Sequence, residues 1–168
     1  MAAFARGNFV RQQGFPETQE HDCAAHYSAL MFQPRVVGII VLVGLVFQTW
    51  PVFLALAAVL WWNVLVPALN PFDLFFNRFL AGRKGLPRLT PAPAPRRFAQ
   101  GMAGTFMLAV GAFLLLGWQT AAWGVEALLV VALSALVLGR FCLGSYIFHL
   151  LRGRTVFANR TLPWTHSH

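Results

Sequence analysis

The sequence predicts an all-α integral membrane protein with four transmembrane helices, arranged as two hairpins, and a short interfacial amphipathic helix. Of its 168 residues, 58% are hydrophobic and only 11% are charged, whereas charged residues make up about a quarter of a typical soluble domain. The apolar residues fall into two blocks, 36–69 and 98–151, with polar or basic segments around them. An uncharged turn inside each block then divides it into two crossings.

The basic residues indicate the topology of these crossings. The segment 70–97, between the two apolar blocks, carries six of the thirteen Lys and Arg residues. The turns at 48–51 and 117–124 have no charge and instead carry tryptophans, which are enriched at membrane interfaces. Because basic loops favour the cytoplasmic side, we expect a multi-pass protein of the bacterial inner membrane with both termini in the cytoplasm.

The lengths of the apolar runs set the helix boundaries. Residues 36–69 would span about 51 Å as one helix, far more than the ~30 Å hydrocarbon core, so this block must bend. Pro51 suits the first turn of a new helix. The predicted elements are a cytoplasmic N-terminal tail at 1–35, membrane helices at 36–49, 51–69, 98–117 and 125–151, an interfacial helix at 72–81, and a cytoplasmic C-terminal tail at 152–168.

The central segment has features of a helix lying in the headgroup region. Its phenylalanines recur with helical spacing, which gathers them on one face, and Asn70 can cap the helix. Packing of the same face on a soluble partner is the alternative. Prolines at 91, 93 and 95 predict an extended polyproline spacer after it. The residues predicted to contact lipid or the interface are Phe72, Phe75, Phe76, Phe79, Arg83 and Lys84.

Two further patterns concern the later helices. Gly101, Gly104 and Gly111 lie near one side of the third helix and predict close packing of a neighbouring helix. In the fourth helix, Cys142, Ser145, Tyr146 and His149 share a face at 100° per residue. Arg140 points roughly the opposite way; it is either functional or close enough to the headgroups to snorkel.

His149 is a candidate axial ligand for a haem or chlorophyll-type metal, and an interfacial hydrogen-bonding histidine is the alternative. The other four histidines lie in the tails, so a second helix histidine for a bis-His haem is missing. His21, Cys23 and His26 lack the second ligand cluster of a zinc site. We therefore predict no bound metal and no structural disulfide between the two cysteines.

The two hairpins, the basic linker ending in PRRFAQG and the Phe141-Cys142-Leu143-Gly144 run resemble a bacterial family of small four-helix membrane proteins of unknown function. The resemblance covers about 33–151. It implies a Cys-x-Gly-Cys thiol pair working with thioredoxin-like or sulfur-transfer partners. Here Ser145 stands at the second position, and a dithiol cycle needs two sulfurs. Cys142 is then a redox candidate or, alternatively, a small buried hydrophobe.

No catalytic constellation occurs in the sequence, so we expect a protein that is not an enzyme. The leading hypothesis is a non-catalytic accessory subunit that packs in a larger bacterial membrane complex, of photosynthetic reaction-centre, light-harvesting or respiratory type. Its expected partners are other integral membrane subunits and lipid, with pigment or quinone at the contacts, and no nucleic acid. The alternatives are a thiol-redox or sulfur-handling membrane protein and a small transporter.

Overall fold

The computed structural model describes residues 2–15, 20–82 and 86–165, and every regular element in these ranges is helical. The prediction of an all-α chain is therefore confirmed for the described residues. The helices are α1 (Ala2–Gln12), α2 (Glu20–Leu30), α3 (Phe32–Phe47), α4 (Trp50–Leu65), α5 (Pro71–Phe75, extended by a π-helical stretch at Phe76–Ala81), α6 (Ala94–Leu115), α7 (Gln119–Val137), α8 (Leu143–Leu151) and α9 (Thr155–Arg160).

Three helical segments are long and apolar enough to cross a membrane: Ala24–Phe47, α6 and α7. The first joins the end of α2 to α3, so this span begins well before the predicted start at residue 36. The 16 residues of α4 are apolar but rise only about 24 Å. Length and composition thus indicate a membrane protein, while a fourth crossing through α4 stays a prediction.

The closest helix pair is α4 with α6. A Cβ on Gly104 would lie 3.1 Å from Trp61, and one on Gly111 would lie 2.6 Å from Leu54. A Cβ on Gly101 would likewise lie 3.5 Å from the Val64 side chain. The missing side chains therefore let the two backbones approach, as small residues do between membrane helices.

Buried apolar side chains form two clusters. The bundle cluster lies between the long helices and includes Val41, Phe53, Leu60, Val110 and Leu129. The end cluster joins α1 and α2 to α5 and the α7–α8 connection, and includes Phe9, Tyr27, Met31, Phe76 and Cys142. The N-terminal helices thus cover one end of the bundle.

The predicted fourth helix, 125–151, is wrong as a single element. The chain leaves the helix after Val137, Arg140 takes a left-handed conformation (φ 54°), and a new helix begins at Leu143. A Cβ on Gly139 would lie only 2.6 Å from the Ala135 carbonyl oxygen, which makes glycine the natural residue at this stop. Hydropathy continues through the break, so apolar content alone did not reveal it.

Two other predicted boundaries shift for reasons of proline chemistry. The second helix ends at Leu65 rather than residue 69, because Pro67 cannot continue an α-helix. The third begins at Ala94 rather than residue 98, with Pro95 in its first turn, where the missing N–H costs nothing. The extended proline spacer is correspondingly shorter than predicted.

The two ends of the described chain meet at one end of the bundle. The Asn8 side-chain amide donates to the backbone carbonyls of Leu162 and Thr165, at 2.9 and 3.0 Å. Within α1, Phe9 and Val10 are almost fully buried. The N-terminal segment, predicted as a tail, therefore packs on its own bundle.

Candidate functional site

Cys142 lies just before the first turn of α8, and its thiol is buried. The Ser145 hydroxyl lies 3.3 Å from the Pro95 carbonyl oxygen and 3.4 Å from the Cys142 sulfur, and it can donate its one proton to either. The Gln12 side-chain oxygen accepts from the Cys142 backbone N–H at 2.9 Å. The two positions of the Cys-x-Gly-x run are thus in contact. Gly144, which precedes Ser145, is also closely packed, because a Cβ at this position would lie 2.8 Å from the Ala99 backbone.

His149 is used within the chain. Its Nε2 lies 3.1 Å from the Gln12 backbone carbonyl, which can only accept, so the imidazole donates there. The Phe157 ring packs edge-on against it, with 4.7 Å between centroids. A metal could reach His149 only through Nδ1, which is itself buried. The contacts describe a histidine that ties α8 to α1, and a cofactor at this residue stays a prediction.

Tyr146 and Arg140 do not join Cys142 in one polar site. The Tyr146 hydroxyl donates to the Asn159 side chain at the surface, at 2.9 Å. The Arg140 guanidinium carbon lies 5.9 Å from the centre of the Tyr27 ring. The side chains of His21 and Cys23, and all of His166 and His168, lie outside the described residues, while His26 packs beside Phe15.

A buried ion pair joins the central segment to α6. The Arg96 guanidinium donates to both carboxylate oxygens of Asp73, at 2.8 and 3.1 Å, and the two side chains are 6% and 9% exposed. This forked geometry is the strong form of an arginine–carboxylate pair. Asp73 also accepts from the Asn70 side chain at 3.0 Å, and Asn70 caps α5 as predicted.

Gln33 of α3 completes this buried network. Its side-chain oxygen accepts from Arg96 at 2.9 Å, from Gln100 at 2.9 Å and from Asn70 at 3.2 Å. Three separate segments of the chain, α3, the start of α5 and the start of α6, therefore share one set of hydrogen bonds. We refer to Gln33, Asn70, Asp73, Arg96 and Gln100 as the buried polar network.

A second polar contact lies at the opposite end of the helices. The Gln48 side-chain nitrogen donates to both carboxylate oxygens of Glu126, at 3.2 and 3.3 Å, and the Gln48 oxygen accepts from Gln119 at 2.8 Å. Glu126 is buried. The two uncharged turns predicted on one side of the membrane are thus linked by side-chain hydrogen bonds.

The predicted interfacial phenylalanines divide between exposed and buried positions. Phe75 and Phe79 are half-exposed and in ring contact, 4.9 Å between centroids. Phe76 is instead 2% exposed and belongs to the end cluster, so its assignment to the interface is wrong. Phe72 packs against the bundle cluster. Arg83 and Lys84 lie outside the described residues.

Few residues of the described chain pack against the outer face of α7. Only 17% of the apolar window in α7 is buried, against 39% and 33% in the other two candidate spans. The exposed residues include a row at alternating spacings of four and three, in which every residue but Val131 is small: Thr120, Gly124, Ala127, Val131 and Ser134. We call this row the small-residue stripe. A Cβ on Gly124 would meet nothing within 4 Å.

Sequence reasoning did not find the buried polar network. Asp73 is the one acidic residue of the segment 70–97, Gln33 precedes the first apolar block, and Gln100 lies at the start of the second. These are weak signals, yet an acid beside a hydrophobic phenylalanine run already suggests a buried partner. The pairing of Asp73 with Arg96 requires the fold itself, because 23 residues separate them.

Comparison with known proteins identifies the family. A family described as "Domain of unknown function (DUF4395)" matches residues 28–153, which is more than half of the chain. The chain belongs to the DUF4395 family. No curated protein and no solved structure matches it. The expectation of a family of unknown function is thus confirmed, while its Cys-x-Gly-Cys motif stays an expectation from the resemblance.

Proposed function

We propose that this DUF4395 protein is a non-catalytic accessory subunit of a larger bacterial membrane complex, and that it docks on a partner helix through the small-residue stripe of α7. The observation that carries the proposal is the low burial of α7 together with the small side chains along its outer face. In a membrane, apolarity alone does not draw helices together, because lipid tails are equally apolar. Small residues favour association by allowing close backbone contact.

The position of the stripe supports docking over simple lipid contact. At 100° per residue, it lies opposite the buried side of α7, which consists of Ala122, Glu126 and Leu129. The half-exposed Trp123 and Leu128 flank it and form the sides of a shallow groove. Alternating spacings of four and three residues are also those of a left-handed helix pair.

Replacing a small residue of the stripe with a larger one tests the proposal. Gly124→Leu is expected to lower co-purification of the partner from gently solubilised native membranes by about tenfold or more, because a leucine holds the two helix backbones apart. The measurement is affinity capture of the full chain with quantitative mass spectrometry. Ala58→Leu, at an exposed position of α4, is the matched control. Equal recovery from both variants, or recovery of copies of this chain alone, would contradict the accessory role.

The same experiment identifies the host. A photosynthetic complex would add pigment absorption to the eluate, and a respiratory one would add haem or flavin absorption. We also propose the bacterial inner membrane, with both termini cytoplasmic, on the distribution of basic residues.

One contact favours a thiol function as the second candidate. Because the Ser145 hydroxyl already touches the Cys142 sulfur, a cysteine at 145 would place two sulfurs side by side. Ser145→Cys is expected to form an intrachain disulfide under mild oxidation, and thiol alkylation with mass spectrometry measures it. Ser134→Cys, on the exposed face of α7, is the control. Failure of Ser145→Cys to oxidise would exclude a dithiol geometry at this site.

A further inference from the structure

A half-open cavity of about 150 Å³ lies between α3, α6 and α7, and residues of α1, α2, α4 and the start of α8 complete its wall. Its inner part is lined by apolar side chains, including Val37, Val41, Leu60, Phe106, Leu129 and Leu133. Apolar walls of this kind favour an apolar guest over water. From Arg96 to Met107, the first and last lining residues of α6, the cavity extends about 16 Å along the helix.

The opposite part of the cavity is polar. Gln33, Arg96 and Gln100 of the buried polar network line it, next to the Cys142 position. Arg96 carries a positive charge, but Asp73 neutralises it through two hydrogen bonds. The cavity therefore has a polar end without a net charge, which does not suit an anionic headgroup.

Gln100 supplies a free acceptor at this end. The residue is 8% exposed, and its side-chain nitrogen donates to Gln33 at 2.9 Å. Its side-chain oxygen has no donor among the described residues and is covered by protein atoms, so a guest hydroxyl reaches it when the Gln100 side chain turns toward the cavity. A buried carbonyl oxygen without a donor costs about 1–3 kcal/mol, so a guest that offers a hydroxyl gains this interaction.

We propose that the cavity binds an uncharged amphiphile with a single slender apolar chain and a hydroxyl group, which donates to the Gln100 side-chain oxygen. The volume of about 150 Å³ limits the guest to one apolar chain. The neutralised Arg96 disfavours a carboxylate or phosphate, and the unpartnered Gln100 oxygen favours a hydroxyl donor. A long-chain alcohol and an alkyl phenol share this chemistry. The site is independent of the stripe on α7, because it lies on the inward side of that helix.

Photolabelling of the full chain in phospholipid nanodiscs tests the proposal. The probes are dodecanol, a dodecyl phenol, dodecane and dodecanoate, each with a photoreactive diazirine in the alkyl chain. We expect the alcohol or the phenol to label peptides of α3, α6 and α7 about tenfold more than dodecane or dodecanoate does. Equal labelling by all four probes would overturn the proposed hydroxyl site.

Variants locate the bound molecule. Ala103→Leu fills the cavity from α6 and Ala132→Leu fills it from α7; each is expected to reduce labelling at least tenfold, and Ala58→Leu is expected to leave it unchanged. Because the two substitutions lie on different helices, the test still applies if one of the variants fails to fold. Gln100→Leu is expected to remove the preference for hydroxyl probes over dodecane. Unchanged labelling in both filled variants, or an unchanged preference in Gln100→Leu, would overturn the assignment.

Discussion

Replacing Asp73 with leucine is expected to destabilise the protein by about 3–5 kcal/mol, because it leaves the buried Arg96 guanidinium without its counter-charge. Both side chains are less than a tenth exposed, so water cannot replace the lost carboxylate. The measurement is reversible unfolding in mixed micelles with increasing sodium dodecyl sulfate, followed by tryptophan fluorescence. Arg96→Met is expected to lower the free energy of unfolding by a similar amount, because it leaves the Asp73 carboxylate buried without a cation.

The double variant Asp73→Leu, Arg96→Met separates pairing from packing. Removing both charges is expected to cost much less than either single change, because no unpaired charge stays buried. Arg88→Ala, at an exposed position of the same segment, is the control and should change stability by less than about 0.5 kcal/mol. Single variants as stable as Arg88→Ala would show that the pair is open to solvent.

Replacing Gln33 with leucine is expected to cost about 2–4 kcal/mol, because one change removes the acceptor of three side-chain donors. Those donors belong to Asn70, Arg96 and Gln100, all of them buried. The same unfolding measurement applies. The loss should appear as looser attachment of α3, which can be followed by faster hydrogen exchange in α3.

Arg35→Leu, at an exposed position of the same helix, is the matched control for this prediction and should change stability by less than about 0.5 kcal/mol. If Gln33→Leu lost no more stability than Arg35→Leu, the three hydrogen bonds would not contribute as described.

The fold was predictable where one physical rule dominated. Apolar run lengths predicted the long apolar helices that could cross a membrane, and the spacing of Gly101, Gly104 and Gly111 indicated the face of α6 that contacts α4. The break before Cys142 was missed because hydropathy continues through it, although Gly139 was a visible stop signal. Composition shows how long an apolar run is, whereas the position at which a helix ends depends on individual residues.

The candidate site was less accessible to sequence reasoning. Cys142 and Ser145 share a contact, as their spacing suggested, but Arg140 lies in the break before α8 and contacts Tyr27. The buried polar network joins residues up to 67 positions apart, from Gln33 to Gln100. A helical pattern shows which side of each helix is apolar, but it does not show which polar residues from different helices meet.

Site-specific photocrosslinking in native membranes tests the docking claim most directly. A photoreactive residue at position 127, in the middle of the small-residue stripe, is compared with one at position 58 on the exposed face of α4. The account predicts a specific crosslink from position 127 to one integral membrane partner, lost when Gly124→Leu is added. Crosslinks to lipid alone from position 127, or the same protein crosslinked from both positions, would contradict it.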